Sequence, residues 1–240
     1  FVLQNISFTI NAGDCISLAG LNGSGKTTLI KLLLRFYEPT QGEILINDLP
    51  LQELDIKTYW SLCSSVFQNF STYSVSALEN ISMKGESNTD IEKVRFELTR
   101  NGLDQRFENE PLGIRTVLSR DFDEKGTMLS GGQRQQIAFS RANYKDSSLY
   151  ILDEPSSSLD ASAEQDMFSY LTELKKDRSK IILFVSHRLS TSLLADKIVF
   201  IKNAEIAGIG NHEHMMKTCS EYATLFNLQA QKYGLPTQKQ

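Results

Sequence analysis

An α/β fold with a largely parallel core sheet is the architecture that this sequence of 240 residues predicts. Short apolar runs alternate with longer helix-period patterns, the order expected when parallel strands are joined by crossover helices. A glycine-rich turn from Gly20 to Gly25 sits between one apolar run and a leucine-rich helical pattern. The stretch 74–146 interrupts the alternation and reads as mainly helical. It is expected as a helical subdomain set into a core made of 1–73 and 147–240.

Taken in order, Val2, Ile6, Phe8 and Ile10 suggest an opening strand, and Asp14 to Ala19 a buried one. The helical pattern after the glycines carries Leu29, Ile30, Leu32, Leu33, Leu34 and Phe36, with Pro39 and Gly42 as its stop. Glu43 to Ile46 starts a strand, and Ser64 to Phe67 is another. Asn88 to Asp90 can cap a helix that runs to Asn101 and Gly102, and Arg134 to Tyr144 is a further helical run. The parallel pattern resumes with a strand at Ser148 to Leu152, a helix from Asp160 to Lys176, and a strand at Lys180 to Val185. Lys197 to Ile201 and Glu205 to Ile209 form a hairpin pattern around Lys202 to Ala204, the small antiparallel part, and the C-terminal stretch is helical and then frayed.

Composition narrows the function. Hydrophobic residues make up 40% of the chain, enough for a full core. Lys and Arg number 25 against 29 Asp and Glu, a net charge of −4, so no basic surface for nucleic acid is expected. No apolar run approaches the roughly 20 residues of a spanning helix, and no secretory leader is expected. The opening at Phe1, inside a strand-like pattern, suggests a piece of a longer protein. Cys15, Cys63 and Cys219 are too few and too scattered for a disulfide framework or a zinc site, and reduced thiols in a cytosolic compartment are expected. His212 and His214, near a helix start, read as surface residues rather than a metal pair.

Three segments carry chemistry. Gly20-Leu21-Asn22-Gly23-Ser24-Gly25-Lys26-Thr27, followed by Thr28, fits the Walker A pattern of Gly, four residues, then Gly-Lys-Ser/Thr. A polyphosphate needs many donors at once. The glycines let successive backbone N–H groups face inward, and the helix that starts there adds its positive end. Lys26 supplies a full charge, and Thr27 offers a hydroxyl to Mg²⁺, a hard cation that prefers oxygen. In the second segment, the apolar run Leu149 to Leu152 ends in Asp153 and Glu154. Successive residues at a strand end point in different directions, so Asp153 is assigned to the metal and Glu154 to the attacking water. The third is Leu129-Ser130-Gly131-Gly132-Gln133 before a helical run, a second anion-binding helix start in one chain.

Together these segments resemble the ATP-binding cassette family over nearly the whole chain. The resemblance implies a P-loop NTPase fold with a RecA-like core, and ATP and Mg²⁺ as ligands. It implies a head-to-tail dimer with a second cassette, identical or not, in which each ATP lies between one chain's Walker A loop and the other's signature helix. Gln68, in Val66-Phe67-Gln68-Asn69-Phe70, resembles the Q-loop that reaches the metal or its water. Ser158-Leu159-Asp160 resembles the D-loop that crosses the dimer, and His187 the switch histidine on the γ-phosphate. Asp123-Glu124-Lys125-Gly126 and Glu79-Asn80-Ile81 look exporter-like, although Asp123 and Gln136 depart from the family's common Gly and Arg. An exporter implies a transmembrane domain, fused N-terminally, and a place on the cytoplasmic face of the cell membrane. The family's adenine-stacking aromatic is expected upstream of Phe1. The charge-free stretch Thr58 to Leu78 reads either as part of a docking groove for that membrane domain or as an ordinary strand with polar flanks. A soluble ATPase of repair or translation and a regulatory nucleotide-binding module are the alternatives. Repair types place a long coiled coil between Walker A and signature, where only about 100 residues without sustained heptads stand here, and translation types carry two cassettes in one chain; the retained Glu154 and His187 speak against the regulatory module.

Overall fold

The computed structural model describes residues 2–121, 124–154, 161–185 and 189–232, without the side chains of 161–167, 189–190 and 232. Its six-stranded sheet contains β1 (Cys15–Ala19), β4 (Cys63–Val66), β5 (Leu149–Asp153), β6 (Ile181–Val185), β7 (Lys197–Lys202) and β8 (Glu205–Gly210), in the order β4-β5-β6-β1-β7-β8. All neighbours are parallel except the β7–β8 hairpin. Two-residue strands β2 (Leu45–Ile46) and β3 (Leu49–Pro50) make a separate antiparallel pair. The helices are α1 (Lys26–Leu33), α2 (Ile56–Ser61), α3 (Ala77–Ser82), α4 (Ile91–Arg100), α5 (Asp104–Glu108), α6 (Gly131–Lys145), α7 (Ala161–Lys176), α8 (Leu189–Ser192), α9 (His212–Thr218) and α10 (Ser220–Lys232).

Every residue of β1 is buried, because helices cover both faces of the sheet. Alternate strand residues enter opposite layers. Ile16, Leu18, Ile151, Leu183 and Val199 pack with Leu29 and Ile30 of α1 on one face. Cys15, Tyr150, Leu152, Ile182 and Phe184 pack with Phe139 of α6 and Leu171 of α7 on the other. Residues 77–144 build a further core of their own from Leu78, Ile81, Val94, Leu98, Phe107 and Ile137 among others. Each such side chain contributes about 1.5–3 kcal/mol relative to exposure. Asp90 caps α4 by accepting from Lys93 N, as the sequence suggests. The helical segment is tied to the edge of the sheet where Ser64 Oγ donates to the carbonyl of Ala142 at 2.9 Å and Lys145 Nζ to that of Cys63 at 2.6 Å. No helix among the described residues is long and apolar enough to cross a membrane.

Two expectations fail and a third is trimmed. Residues 2–10 form no strand. Leu3, Ile6, Phe8 and Ile10 do pack against the core, but among the described residues Gln4 N to Ala204 O is the one backbone bond that ties this segment down, and Asn5 at φ 51 interrupts the extension. An alternating pattern reports one buried face, not a hydrogen-bonded ladder. The second is the stop of α1, which comes at Leu33, well before Pro39. Arg35 turns left-handed at φ 56, and its guanidinium donates to the carbonyls of Leu54 and Gln52 at 2.8 Å each. That distant anchorage fixes the exit from the helix. The strand expected from Glu43 shrinks to Leu45–Ile46.

Candidate nucleotide site

The loop Gly20 to Gly25 joins the carboxyl end of β1 to the start of α1. Its shape depends on glycine where the chain passes close to other backbone. Gly20 and Gly25 have φ of 148 and 105; a methyl at Gly20 would overlap the Ile201 carbonyl oxygen, and one at Gly25 would stand 2.5 Å from Leu3 Cδ2. No side chain caps α1 and no acid lies in its first turn, so its N–H groups and positive end are left for the loop to present. Leu21, Asn22, Gly23 and Thr27 are exposed, Thr28 is half-buried and Ser24 is buried.

Lys26 is 5% exposed. Its Nζ donates to the carbonyls of Gly20 at 3.0 Å and Leu21 at 2.9 Å, and to Ser24 Oγ at 3.4 Å. Burial lowers its pKa, and the negative charges of Glu154 and Asp153 oppose that shift. The two acids therefore act on the same amine as the loop. Asp153 is the last residue of β5, in register with Val185, and is 5% exposed. Glu154 is half-buried at φ 51, just past the strand. Gln68 is exposed, two residues beyond the end of β4. Because β4, β5, β6 and β1 run parallel, Gln68, Asp153, Glu154 and the Walker A loop all leave the same edge of the sheet, the edge where open α/β sheets bind ligands.

The second helix start is elsewhere. Ser130 caps α6 with a capping box: its Oγ accepts from Gln133 N at 3.2 Å, and Gln133 Oε1 accepts from Ser130 N at 3.0 Å. Ser130, Gly132 and Gln133 line a cavity of about 620 Å³ together with Arg100, Gln136 and Tyr170, and no residue of Gly20–Thr28 belongs to it. The helix packs against β4, which β5 and β6 separate from β1. Three strand spacings are about 14 Å. A methyl added at Gly131 or Gly132 would meet nothing within 4 Å, so this chain's own packing does not call for glycine there.

The structure thus sets Asp153 and Glu154 close enough to act on Lys26 of the loop that ends in Thr27, places Gln68 at the same carboxyl end of the sheet but three strands away after β4, and puts Ser130, Gly132 and Gln133 in a cavity that no residue of Gly20–Thr28 lines. Asp160 and His187 lie outside the described residues. His212 departs from the surface reading. It is half-buried, with Nδ1 3.0 Å from the Tyr222 hydroxyl and its ring against Phe226, and burial lowers its pKa. His214 is exposed, and no cluster of metal-ligating residues occurs among the described residues. Sequence reasoning also missed Arg141, whose contacts reach back to Ser71 and Asn80. Glu79-Asn80-Ile81 stood out in the sequence, but nothing local announced its partner.

Comparison with known proteins places the chain in a family. The family model described as ABC transporter matches residues 3–157. The chain is 40% identical over 228 residues to the subtilin transport ATP-binding protein SpaT of Bacillus subtilis, covering 92% of this chain and 36% of that protein. It is 37% identical over 230 residues to the ATP-dependent lipid A-core flippase of Paraburkholderia xenovorans, covering 96% of this chain and 37% of the flippase. A solved bacterial Atm1-family ABC exporter with ATP bound superposes with a TM-score of 0.84 at 27% identity, covering 95% of this chain and 39% of that one. The chain therefore spans little more than a third of the length of these relatives. With the family model matching more than half of the chain and a 40% identical relative covered over 92% of it, the chain belongs to the ABC transporter family.

Proposed function

We propose that the chain is the ATP-hydrolysing part of an exporter and works as one half of a dimer in which two cassettes enclose each ATP. One observation carries this reading. A single chain presents two phosphate-type helix starts, at Lys26 and at Ser130, and the cavity lined by Ser130, Gly132 and Gln133 includes no residue of Gly20–Thr28. Bare glycines at the second start support it. Gly in a helix costs roughly 1 kcal/mol relative to Ala, and Gly131 and Gly132 have open space around them that a partner's nucleotide could fill.

In this reading the loop N–H groups and Lys26 hold the outer phosphates. Lys26 exchanges its own loop carbonyls for phosphate oxygens. Ser130 and Gly132 of the second cassette close over the γ-phosphate, and His187 contacts it. Glu154 orients a water in line and accepts its proton. Acceleration comes mainly from positioning and charge stabilisation of the transferred phosphoryl group. The residues present fit Mg²⁺: an exposed Thr27 hydroxyl and the Asp153 carboxylate are hard oxygen donors beside the loop, with Gln68 on the same sheet edge. Bound there, Mg²⁺ would supply charge neutralisation on the phosphate oxygens. Asp160 is assigned to the contact across the dimer.

Residues 74–146 are taken as the helical subdomain that carries the second start, with 1–73 and 147–240 as the nucleotide core. A transmembrane domain, fused N-terminally, would place the cassette on the cytoplasmic face of the membrane. The names of the flippase and of the subtilin transporter support that branch.

The test is Mg²⁺-dependent phosphate release by wild type and Glu154→Gln, with sedimentation of both in ATP. The variant should hydrolyse at least about a hundredfold more slowly and accumulate as a dimer with ATP. Equal rates, or an ATP-loaded variant that stays monomeric, would refute the reading.

A further inference from the structure

Arg141 lies on α6, 11 positions after Ser130, yet its side chain bonds to residues far back in the chain. Nε donates to the Asn80 carbonyl at 2.7 Å, and Nη2 to the Ser71 carbonyl at 3.2 Å and to Asn80 Oδ1 at 3.4 Å. Its guanidinium carbon stands 5.2 Å from the centre of the Tyr73 ring. Asn80 is fully buried and continues the clamp. Its Oδ1 accepts from Tyr73 N at 2.8 Å, and its Nδ2 donates to the carbonyls of Tyr73, Val75 and Ser76 at 2.9, 3.1 and 3.0 Å.

The segment held in this way is the one that carries Gln68. Among hydrogen bonds between described residues, Arg141 Nη2 to Ser71 O is the one that reaches residues 68–72. Burying a guanidinium is costly, and burial lowers its pKa here. A packing role alone would be served by an aliphatic chain. The planar fork matches two carbonyls in fixed relative positions, which an ammonium on a flexible stem does not.

We propose that Arg141 is a positioning residue for ATP hydrolysis: it holds the loop bearing Gln68 in register with the helix that begins at Ser130. The inference rests on the proposed roles of Gln68 and of the second helix start. A shift of α6 when Ser130 meets a nucleotide would pull Ser71 and move Gln68 three residues away. Tyr73 is 49% exposed and lies over the guanidinium, so a body pressing on that ring would bias the same clamp from outside.

A double-mutant cycle in ATPase rate tests the coupling. Arg141→Lys should lower kcat about tenfold with KM for MgATP changed less than about twofold, because the charge stays and the fork is lost. Gln68→Ala should also lower kcat. The double variant should run within about twofold of Gln68→Ala alone, since Arg141 acts through Gln68. Tyr73→Leu, at an exposed position, gives a second probe: a drop of about threefold, likewise absorbed by Gln68→Ala. Losses that multiply in the double variants would overturn the proposal and leave Arg141 as structural support. So would Arg141→Lys that lowers Tm or raises KM at unchanged kcat. Gln68→Ala with wild-type kcat would overturn it too, while Glu154-dependent hydrolysis in the same preparation would leave the broader reading standing.

Discussion

The backbone N–H of Glu154 donates to the Val185 carbonyl at 3.1 Å, one residue beyond the end of β5. The β5–β6 ladder therefore continues past the strand while φ 51 turns the chain. Asp153 stays buried in the ladder, and Glu154 is carried out of it on a left-handed residue. A non-glycine residue in that conformation costs roughly 1–2 kcal/mol. Replacing Glu154 with Gly should therefore keep or raise thermal stability, by about 2–4 °C per kcal/mol recovered. Mg²⁺-dependent phosphate release should fall at least about a hundredfold if Glu154 has the proposed role of accepting the water's proton. Thermal melts and phosphate assays on the same preparation check both halves; a variant that melts well below wild type would show that the left-handed turn is not strained.

The start of α6 allows stability and function to be separated. Gly132→Ala adds a methyl that meets nothing within 4 Å and improves helix propensity, so the isolated chain should gain up to about 1 kcal/mol. ATP-dependent dimer formation by a hydrolysis-blocked form should weaken by about tenfold or more if a nucleotide must approach that surface. Ser130→Ala should cost about 0.5–2 kcal/mol of stability through loss of the capping box. Denaturant melts and sedimentation in ATP distinguish the outcomes. Unchanged dimerisation by Gly132→Ala would remove the reason given for its bare surface.

Glu97, on α4 in the helical segment, is 4% exposed, and burial raises its pKa against the opposing charge of Arg100, 3.9 Å away. A carboxyl whose folded pKa is raised binds its proton more tightly when folded. Its contribution to stability is complete below its usual value near 4.5 and is lost as pH rises through the folded pKa. Glu97→Gln cannot ionise, so it should melt about 2–4 °C above wild type at pH 7.5, and the gap should close towards pH 4. Melting curves across that range settle it; a gap that widens on acidification would mean that the Arg100 pair outweighs burial.

The pattern that points to phosphate chemistry is legible in the sequence because it depends on neighbours in the chain. Gly20 to Thr27 must be consecutive for their N–H groups to converge, Asp153 and Glu154 must be adjacent to leave one strand end, and Ser130 must stand three residues before Gln133 to close a capping box. The alternation of strands and helices was legible for the same reason, since burial on two faces leaves a periodic signal. Only the tertiary structure decided what depends on distant partners. Residues 2–10 show strand-like alternation yet pair with no strand, α1 stops where Arg35 finds the carbonyls of Gln52 and Leu54, and His212 turns into an aromatic cluster around Tyr222. The separation of the two helix starts and the Arg141–Asn80 clamp, which joins residues 61 positions apart, belong to this second group. Short-range spacing sets the shape of a loop or a cap, but which loop meets which helix is set by packing across the whole sheet, and no local pattern encodes it.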